Sequence, residues 1–441
     1  MRLPEPVREA LARLEAAGFA AYVVGGAVRD HLRGICPHDF DLCTAALPAE
    51  TKAVFAGERV VETGLKHGTV TVILHGAPLE ITTFRVESGY SDSRHPDGVR
   101  FVREIEADLG RRDFTVNAMA FSPARGLVDP FGGQADIRRG VLRAVGNPET
   151  RFREDALRIL RGLRIAAETG FTIEEDTAAA LRALAPMLLR VAPERLSSEL
   201  LRLLCGRYAG HILREYSAVI GIILPEIIEM QGFQQHNRHH RYDVLEHTLR
   251  ALEQIPADPV LRLAALYHDA GKPRSFTMDE AGTGHFYGHP AVSAALAEQR
   301  CLALRLPNTV REEVVFLAHL HDVPIDADTK AVRRRLAQHG EARLRRLLML
   351  KKADSVGQGT HPEYIRHYQK LETMLHEVIR QKDCLSVRSL ALGGRELMAL
   401  GLSGRAIGEM QRRMLDFVLD NPERNTSETL TDFVRQHMEE R

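Results

Sequence analysis

Cysteine is scarce in this chain of 441 residues, which contains five cysteines and no Cys-x-x-Cys pair. An odd number of scattered cysteines argues against a disulfide framework and against a zinc site built from thiolates. The sequence therefore predicts a protein of a reducing compartment, the cytoplasm. The cysteines are Cys36, Cys43, Cys205, Cys301 and Cys384.

Long apolar runs are also missing. The sequence has no stretch of about 18 apolar residues, the length that a membrane-spanning helix requires. Its first residues, M-R-L-P-E-P-V-R-E-A, lack the apolar segment of a signal peptide. Hydrophobic residues nevertheless make up 44% of the chain, which is enough to build cores. We therefore expect a globular protein without a membrane partner.

An excess of positive charge is absent too, because Lys and Arg number 59 and Asp and Glu also number 59. Affinity for a nucleic acid therefore cannot be inferred from total charge and would depend on local arginine clusters. Each such cluster is equally typical of a solvated helix face. The clusters are Arg111-Arg112, Arg138-Arg139 and Arg333–Arg335.

The stretch Ala21–Leu42 contains the residues most indicative of chemistry. It reads A-Y-V-V-G-G-A-V-R-D-H-L-R-G-I-C-P-H-D-F-D-L. Its first apolar run predicts a strand, and Gly25 and Gly26 interrupt that run. Glycine turns of this kind can bring backbone N–H groups to phosphates.

Two carboxylates follow in the same stretch. Asp39 and Asp41 lie two residues apart on a predicted strand, so both side chains project to one side. Two like charges at this distance repel each other and favour a counter-cation. Mg²⁺ suits this position, because it takes oxygen ligands and joins carboxylates to substrate phosphates. The alternative is a surface hairpin whose D-x-D binds nothing.

The first 150 residues favour a small unit of strands and helices. Residues 88–98, S-G-Y-S-D-S-R-H-P-D-G, are polar and rich in turn formers, which predicts a mobile loop. From Arg151 onward strand signals nearly vanish. Strands are predicted at Arg59–Thr63, Thr69–Leu74 and Leu79–Arg85, with a turn at Gly76-Ala77-Pro78, and helices at Val7–Ala17, Arg153–Thr169, Glu174–Leu189 and Pro193–Leu204.

Further motifs follow G-G-A-V-R-D and D-F-D in a fixed order. They are G-L-K-H-G-T-V-T-V, E-I-T-T-F-R, R-R-D-F-T-V-N-A-M-A, D-P-F-G-G and R-F-R-E-D-A-L-R-I-L-R. The series resembles the class II tRNA nucleotidyltransferase and bacterial poly(A) polymerase family, whose head belongs to the polymerase-β superfamily. The resemblance implies an α+β fold, with a small mixed-sheet nucleotidyltransferase head followed by an all-helical body, an HD domain and a tail. The expected bounds are 1–150 for the head, 151–225 for the nucleotide-selecting neck and body, 226–375 for the HD domain and 376–441 for a helical tail that contacts tRNA.

The resemblance also implies a nucleotidyl-transfer site. Glu80 would join Asp39 and Asp41 as a third catalytic carboxylate in a two-metal site, with a strand-end acid as the alternative. Asp113 and Asn117 would bind the nucleotide, or else Asp113 caps a helix and Asn117 is buried. The nucleotide-binding residues implied in this way are Gly25, Gly26, Arg29, Arg112, Asp113, Asn117, Asp155, Arg158, Arg161 and Arg164.

Two of these residues suggest how a base is chosen. Asp155 and Arg158 are three residues apart, which places them on one face of the predicted helix. Cytosine and adenine each pair an amino donor with a ring-nitrogen acceptor, which a carboxylate and a guanidinium can match. Guanine and uracil would leave buried polar groups unpaired. The alternative is an intrahelical salt bridge, for which Glu154 is a second partner of Arg158.

Histidine is concentrated in one region, since ten of the 20 histidines lie between His236 and His339. The region resembles an HD domain, with A-L-Y-H-D-A-G-K-P as its signature. The resemblance implies that His247, His268, Asp269 and Asp354 bind one divalent metal. Imidazole with carboxylate suits Mn²⁺, Ni²⁺ or Co²⁺. The alternative is a degenerate HD fold kept for packing or RNA contact.

The function implied by the resemblance is template-independent addition of C and A, from CTP and ATP, to the 3′ end of tRNA. A poly(A) polymerase or an A-adding tRNA enzyme of the same family is one alternative. An HD phosphohydrolase or RNA-binding protein with an inactive head is another. R-V-E-S-G-Y-S-D-S-R-H-P, residues 85–96, matches the loop motif that relatives restricted to CC addition lack. The sequence therefore disfavours an enzyme that adds only CC.

Overall fold

The computed structural model of the chain describes residues 1–62, 64–65, 68–89, 98–237, 241–359 and 362–439. They form two units, Met1–Ile228 and Glu229–Arg441. The first holds a seven-stranded mixed sheet followed by helices, and the second is mainly helical. The predicted α+β class is confirmed. The finer division into four domains stays a prediction.

The sheet of the first unit is mixed. Its strands are β1 (Ala21–Val24), β2 (Asp41–Thr44), β3 (Arg59–Val61), β4 (Thr69–Leu74), β5 (Ala77–Thr83), β8 (Ala120–Ser122) and β9 (Gly126–Val128). Outside this sheet, β6 (Arg85–Ser88) and β7 (Gly98–Phe101) form a separate hairpin, and β10 (Val141–Leu142) pairs with β11 (Thr172–Ile173). The order is β3-β4-β5-β2-β1-β8-β9, and β2 and β5 run parallel while the other neighbours are antiparallel.

The middle of the sheet is buried on both faces, which explains the continuous apolar run of β1. Val23 packs on one face with Leu11 and Leu14, in the cluster that also contains Leu42 and Ile81. Tyr22 and Val24 pack on the other face with Phe84 and Leu109. Burial of this kind stabilises a large apolar side chain by about 1.5–3 kcal/mol. The sheet therefore gives β2 and β5 a rigid support.

The hairpin between β4 and β5 turns one residue earlier than the sequence suggests. Leu74 pairs with Ala77, so the turn is His75-Gly76, and both turn residues have positive φ (49° and 79°). A two-residue turn with positive φ at both positions fits the twist of the flanking strands. The predicted turn at Gly76-Ala77-Pro78 is therefore wrong, because Pro78 already belongs to β5.

The first helices of the first unit alternate with the strands, and the later ones follow them. They are α1 (Glu5–Ala16), α2 (Gly26–Leu32), α3 (Pro48–Val54), α4 (Ile105–Leu109), α5 (Gly133–Arg139), α6 (Pro148–Glu154), α7 (Leu157–Thr169), α8 (Glu175–Leu184), α9 (Pro193–Leu204), α10 (Ala209–Glu215) and α11 (Ser217–Ile220), with α12 (Glu226–Met230) at the junction of the units. The predicted helix Pro193–Leu204 is confirmed. The predicted helix Glu174–Leu189 ends at Leu184, where a 3₁₀ helix (Ala185–Arg190) begins, since Pro186 cannot donate a backbone hydrogen bond.

The predicted helix Arg153–Thr169 is two helices. Asp155 has extended backbone angles (φ −144°, ψ 104°), which end α6, and α7 begins two residues later. The Asp155 side chain accepts from the backbone N–H of Leu157 at 3.1 Å, which satisfies one of the free donors at the start of α7. Asp155 is therefore a junction residue and does not share a helix face with Arg158.

The second unit is a bundle of helices. They are α13 (Val244–Glu253), α14 (Pro259–Tyr267), α15 (His289–Ala303), α16 (Asn308–Leu320), α17 (Thr329–His339), α18 (Glu341–Gln358), α19 (Pro362–Gln381), α20 (Gly394–Ala399), α21 (Arg405–Asp420) and α22 (Ser427–Glu439), with a short hairpin of β12 (Thr277–Met278) and β13 (Gly284–His285). Met410, Met414, Leu430 and Val434 join the last helices in a small core of their own. None of the helices in the described ranges combines the length and apolarity needed to cross a membrane.

Candidate functional site

Three carboxylates lie together beside the first residue of the central strand β2, a place that we call the carboxylate edge of the sheet. Asp41 is the first residue of β2, and Glu80 lies on the parallel neighbour β5, where Leu42 pairs with Ile81. Asp39 precedes β2 by two residues. All three side chains are exposed, while Phe40 between the two aspartates packs against the core. The sheet register thus places Glu80 beside the aspartate pair.

The charges of this group act on one another. Although the Asp41 side chain reaches solvent, the protein around it partly desolvates the carboxylate. This desolvation and the Asp39 and Glu80 carboxylates raise the pKa of Asp41, and the guanidinium groups of Arg112 and Arg161 oppose the shift. A carboxylate with a raised pKa lacks enough positive charge around it in the protein alone. The edge can therefore accept a cation.

The glycine turn faces the same edge. Gly25 has φ +72°, and a Cβ atom on it would lie 3.2 Å from Nη1 of Arg112. The position therefore requires glycine both for its backbone and for the close approach of the arginine. Gly26 begins α2, and a Cβ atom there would meet the Arg29 guanidinium at 3.6 Å. The turn thus places backbone without side chains next to the guanidinium groups of Arg112 and Arg29.

A hydrogen-bonded network of polar residues, most of them buried, continues from α2. Arg29 donates through Nη1 to Oδ1 of Asn117 at 2.8 Å, and Asn117 donates to Oδ1 of Asp113 at 3.3 Å. Asp113 accepts from Nε of Arg161 at 2.8 Å and from the backbone N–H of Phe114 at 2.9 Å. Burial raises the pKa of Asp113, but Arg161 and Arg158 outweigh burial and hold the pKa well below its usual range.

This hydrogen-bond network joins four of the predicted nucleotide-binding residues, namely Arg29, Asn117, Asp113 and Arg161. Asn117 is indeed buried, as the alternative also expects, and it lies in a 3₁₀ helix that follows Asp113. Arg161 is additionally held by the charges of Glu199 and Asp155, which help to raise its pKa. Asp113 thus holds the Arg161 guanidinium, whose positive charge also lowers the pKa of Asp41.

Asp155 and Arg158 have separate partners. Arg195 on α9 donates to Asp155 through both nitrogens, at 2.7 and 3.3 Å. Arg158 is buried and donates to Glu154 at 2.6 Å and to the carbonyl oxygens of Arg151 and Arg111. The Glu154–Arg158 salt bridge named as an alternative is therefore present. The prediction that Asp155 and Arg158 share a helix face is wrong, because the helix is interrupted at Asp155, between α6 and α7.

Arg164 lies one turn beyond Arg161 on α7 and is also buried. Its Nε donates to Glu199 at 2.5 Å, and Nη1 donates to both carboxylate oxygens of Glu168. A guanidinium held by two carboxylates ties α7 to α9. Arg164 thus has the surroundings of a residue that supports the helix pair.

The second unit brings six metal-type side chains together from five helices. His247 lies on α13, His268 and Asp269 follow α14, and Asp354 lies on α18; their ligand atoms all lie within 4.8 Å of one another. A second such group consists of Asp269 with His289, at the start of α15, and His321, at the end of α16.

The carboxylates outweigh burial at His247 in this cluster. Burial lowers the pKa of His247, but its hydrogen bonds to Asp269 and Asp354 outweigh burial and raise the pKa to about 9. Nε2 of His247 lies 3.0 Å from Asp354 and 3.2 Å from Asp269. A buried set of imidazoles and carboxylates of this composition binds divalent transition metals.

Three segments of the chain match known families. Residues 21–143 match the family described as the poly A polymerase head domain, residues 170–228 match the one described as a probable RNA and SrmB-binding site of polymerase A, and residues 238–357 match the HD domain.

Curated relatives are similar over slightly less than half of the chain. The CCA-adding enzyme of Leuconostoc mesenteroides is 52% identical over 203 residues, and that of Limosilactobacillus fermentum is 49% identical over 203 residues. Each match covers 46% of this chain and 50% of the relative, so the chain spans about half the length of these relatives. The crystal structure of the Bacillus stearothermophilus CCA-adding enzyme in complex with CTP covers 100% of both chains, with a TM-score of 0.71 and 29% identity.

The chain therefore contains a poly A polymerase head domain and an HD domain, and it is similar to the class II tRNA nucleotidyltransferase and bacterial poly(A) polymerase family. As in the family pattern, the head and the HD domain both imply dependence on divalent metal ions. The two groups in the second unit are the candidate metal sites of the described residues that combine histidine with carboxylate.

The predicted mobile loop, residues 88–98, connects the two strands of the β6–β7 hairpin. Arg111 donates to Glu87 at 3.2 Å and to Asp108 at 3.0 Å, and Arg85 donates to Glu87 at 2.8 Å. Asp108 is completely buried and also accepts from Arg112 at 3.4 Å. This network connects the base of the loop to the R-R-D-F-T motif. Residues 90–97, where the mobile loop is predicted, lie outside the described residues.

Reasoning from sequence missed several members of these sites. Arg195 pairs with Asp155 across 40 residues, and no local pattern marks it. His289 and His321 stand in H-F-Y-G-H-P and A-H-L-H-D, where the density of histidine is a signal but does not tell a ligand from its neighbour. Arg333 and Arg334 pair with residues of the tail, Asp383 and Asp420, so this cluster is partly neutralised within the unit.

Proposed function

We propose that this protein adds C and A nucleotides from CTP and ATP to the 3′ end of tRNA without a nucleic-acid template. The observation that carries the proposal is the meeting of Asp39, Asp41 and Glu80 at one exposed sheet edge beside Arg112 and Arg161. The curated relatives, which are named CCA-adding enzymes, support it. We place the reaction in the cytoplasm.

In this proposal, different residues bind the catalytic metal ions and the triphosphate. Mg²⁺ ions held by Asp39 and Asp41 would supply the Lewis acid that an in-line displacement needs. The backbone at Gly25 and Gly26 can donate to the triphosphate. Arg112, beside that turn, supplies positive charge to the same phosphates.

The ribose and the base have their own residues in this proposal. Asp113 and Asn117, fixed by Arg29 and Arg161, can accept from and donate to the sugar hydroxyls. The base would then face α7 and its preceding junction, where Asp155 and Arg158 lie. RNA contact by residues 170–228, which match an RNA-binding family description, completes the proposed path.

A product ladder tests the function. Transfer RNAs ending before CCA, after C and after CC are incubated with CTP, ATP or both, and the products are separated by length. Completion of CCA on all three supports the proposal. Addition of A alone, long A tails, or no addition would instead identify an A-adding enzyme, a poly(A) polymerase or an inactive head, respectively.

Base choice gives a prediction at the α6–α7 junction. To read a base, Asp155 must exchange Arg195 for the amino group, and Arg158 must exchange Glu154 for the ring nitrogen. We expect Asp155→Ala or Arg158→Ala to slow CTP and ATP addition and to raise misincorporation of UTP and GTP by about 10- to 100-fold.

Misincorporation assays measure this directly. Glu149→Ala/Arg153→Ala is the matched control, because it removes an exposed i,i+4 ion pair from α6 without touching the junction. If the junction variants lose stability but keep the selectivity of the parent, Asp155 and Arg158 are structural and the base-reading role is wrong.

The loop gives a second prediction. Replacing residues 89–97 by a Gly-Ser linker keeps Arg85 and Glu87, and hence the ion-pair network with Arg111. We expect CC addition to remain within about threefold of the parent and A addition to fall by about tenfold or more, since a repositioned loop changes the geometry of the later step. Single-step kinetics with CTP and with ATP measure both. Equal loss of C and A addition would show that the loop acts only through the fold.

We also propose a second activity, hydrolysis of phosphoesters by the HD domain. The specific observation that favours it is the position of the metal-type cluster on a cavity of about 850 Å³, a size typical of small-ligand sites. Lys272, beside Asp269 at 2.6 Å, lines the same cavity and can bind a phosphate. Mn²⁺, Ni²⁺ or Co²⁺ at His247, His268, Asp269 and Asp354 would supply a water of lowered pKa.

A further inference from the structure

Asp108 is a completely buried carboxylate near the end of α4. Its Oδ1 accepts from the backbone N–H of Arg85 at 3.2 Å and from Nε of Arg111 at 3.0 Å. Its Oδ2 accepts from Nη2 of Arg112 at 3.4 Å. A buried carboxylate needs such partners, because its removal from water is otherwise costly. Asp108 thus binds both arginines of the R-R-D-F-T motif, one with each oxygen.

The two arginines differ in how fully they are paired. Arg111 also donates to Glu87 at 3.2 Å, so two carboxylates share its charge. In the described part of the chain, Asp108 is the carboxylate that pairs with Arg112, and Nε of Arg112 is buried without a hydrogen-bond partner. A guanidinium carries five N–H donors, so Arg112 has donors left for a further anion.

The guanidinium of Arg112 extends from Asp108 to the glycine turn. Nη2 is the nitrogen on Asp108, whereas Nη1 lies 3.2 Å from the position that a Cβ atom of Gly25 would occupy. The charge of Arg112 also lowers the pKa of Asp41, so it acts on the carboxylate edge. Because a guanidinium is rigid and planar, an anchor on Nη2 fixes the direction of Nη1.

The geometry points to Asp108 as a positioning residue of nucleotidyl transfer, which holds Arg112 so that Nη1 meets the phosphates of the incoming nucleotide at the glycine turn. Asp108 acts through Arg112 and does not contact the nucleotide, since its own side chain is completely buried. Phosphate is the anion that fits, because its oxygens accept well from arginine. The inference rests on the proposed transferase function and adds to it the residue that orients the phosphate-binding arginine.

Pyrophosphate binding tests the inference in the full chain, because pyrophosphate carries phosphates without a sugar or a base. Its affinity is measured by titration calorimetry in the presence of Mg²⁺. Asp108→Asn keeps the size of the side chain and removes its charge, and we expect it to weaken pyrophosphate binding by about tenfold. Arg112→Gln should weaken binding at least as much. Thermal melting checks that each variant is folded.

A double-mutant cycle separates positioning from a general loss of structure. If Asp108 acts through Arg112, Asp108→Asn/Arg112→Gln should bind pyrophosphate within about twofold of Arg112→Gln alone, because the two losses are not additive. Glu87→Gln is the matched control. It removes the other carboxylate of the network, which pairs with Arg85 and Arg111, and it should leave the pyrophosphate affinity unchanged.

Arg112→Lys provides a second variant if Asp108→Asn does not fold, because it leaves Asp108 a cationic partner. An ammonium is a single point of charge, which cannot pair with Asp108 and reach the glycine turn at once. We therefore expect the pyrophosphate affinity of Arg112→Lys to fall nearly as far as that of Arg112→Gln. An affinity equal to that of the parent would show that charge alone suffices, and the positioning role would be wrong.

The remaining outcomes separate the inference from the proposed function. Unchanged affinity in Asp108→Asn, or losses that add in the double variant, would overturn the inference and leave the transferase proposal standing. A parent that adds nucleotides but does not bind pyrophosphate would do the same, since Arg112 would then have no phosphate to meet. A parent that neither binds pyrophosphate nor adds nucleotides would overturn the proposed function and this inference with it.

Discussion

Asp39→Ala and Asp41→Ala are each expected to lower nucleotide addition by about 10³-fold or more while the protein stays folded. Positioning and charge stabilisation supply nearly all of the catalysis in phosphoryl and nucleotidyl transfer, and the ligands of the catalytic metals carry both. Asp41 begins β2 directly beside Glu80, and neither Ala variant disturbs the buried residues that follow. Primer-extension rates at saturating CTP measure the loss.

Asp41→Ala should not lose stability along with its activity, and it should be as stable as the wild type or more stable. The raised pKa of Asp41 means that the folded protein binds its proton more tightly than the unfolded chain does. The ionised carboxylate therefore costs stability at every pH above its unfolded pKa, and the cost is complete above the folded pKa. Asp41→Ala removes this cost, so its melting temperature in the absence of metal at neutral pH should equal or exceed that of the wild type.

Metal addition distinguishes this outcome from a general effect of surface charge. Mg²⁺ should raise the melting temperature of the wild type and do so less in Asp41→Ala, because an ion that binds only the folded state stabilises it. Glu175→Ala, which removes an exposed carboxylate from the first turn of α8, is the matched control and should retain full activity. Near-normal activity in either aspartate variant would contradict the proposed transferase site.

The two aspartates could be predicted from the sequence because the rule behind them is local. Residues two apart share a side of an extended chain, and Asp39 and Asp41 obey it with Phe40 turned to the core. The place of Glu80 beside them depends on the pairing of β2 with β5 across about 40 residues, which periodicity does not specify. The family resemblance supplied that position.

The junction at Asp155 shows where local rules fail. The residues from Arg153 to Thr169 read as one helix, but Asp155 can accept both from the Leu157 N–H and from Arg195 on another helix. These contacts compensate for the broken backbone hydrogen bonds, so tertiary structure overrides helix propensity. The Glu154–Arg158 salt bridge, by contrast, could be predicted from the i,i+4 spacing alone, and it is present.

The HD cluster lies between these cases. The signature H-D-A-G-K marks His268 and Asp269 on one turn, whereas His289, His321 and Asp354 come from three further helices. Their convergence depends on how the helices pack, and the sequence does not encode it in any single spacing. Histidine density alone indicated the region but could not exclude His285, which belongs to neither group.

His268→Ala/Asp269→Ala is expected to abolish metal binding in the HD domain together with hydrolysis of a 2′,3′-cyclic nucleotide. Asp269 belongs to both ligand groups, so its loss removes a ligand from each. Terminal and cyclic phosphates block addition at a tRNA 3′-hydroxyl, and their removal on the same chain would link end-cleaning to CCA repair. Hydrolysis is measured with Mn²⁺, Ni²⁺ and Co²⁺ in turn.

The double substitution also removes the carboxylate that pairs with Lys272, so a milder variant is needed. Asp354→Asn keeps the size of the side chain and removes one charged ligand, and we expect it to lower hydrolysis by about 10- to 100-fold, with metal affinity reduced in proportion. CCA addition should survive in both variants, because Asp39 and Asp41 belong to the other unit. Absence of bound metal and of hydrolysis in the wild type, with all three ions, would reduce the HD domain to a scaffold and leave the transferase proposal untouched.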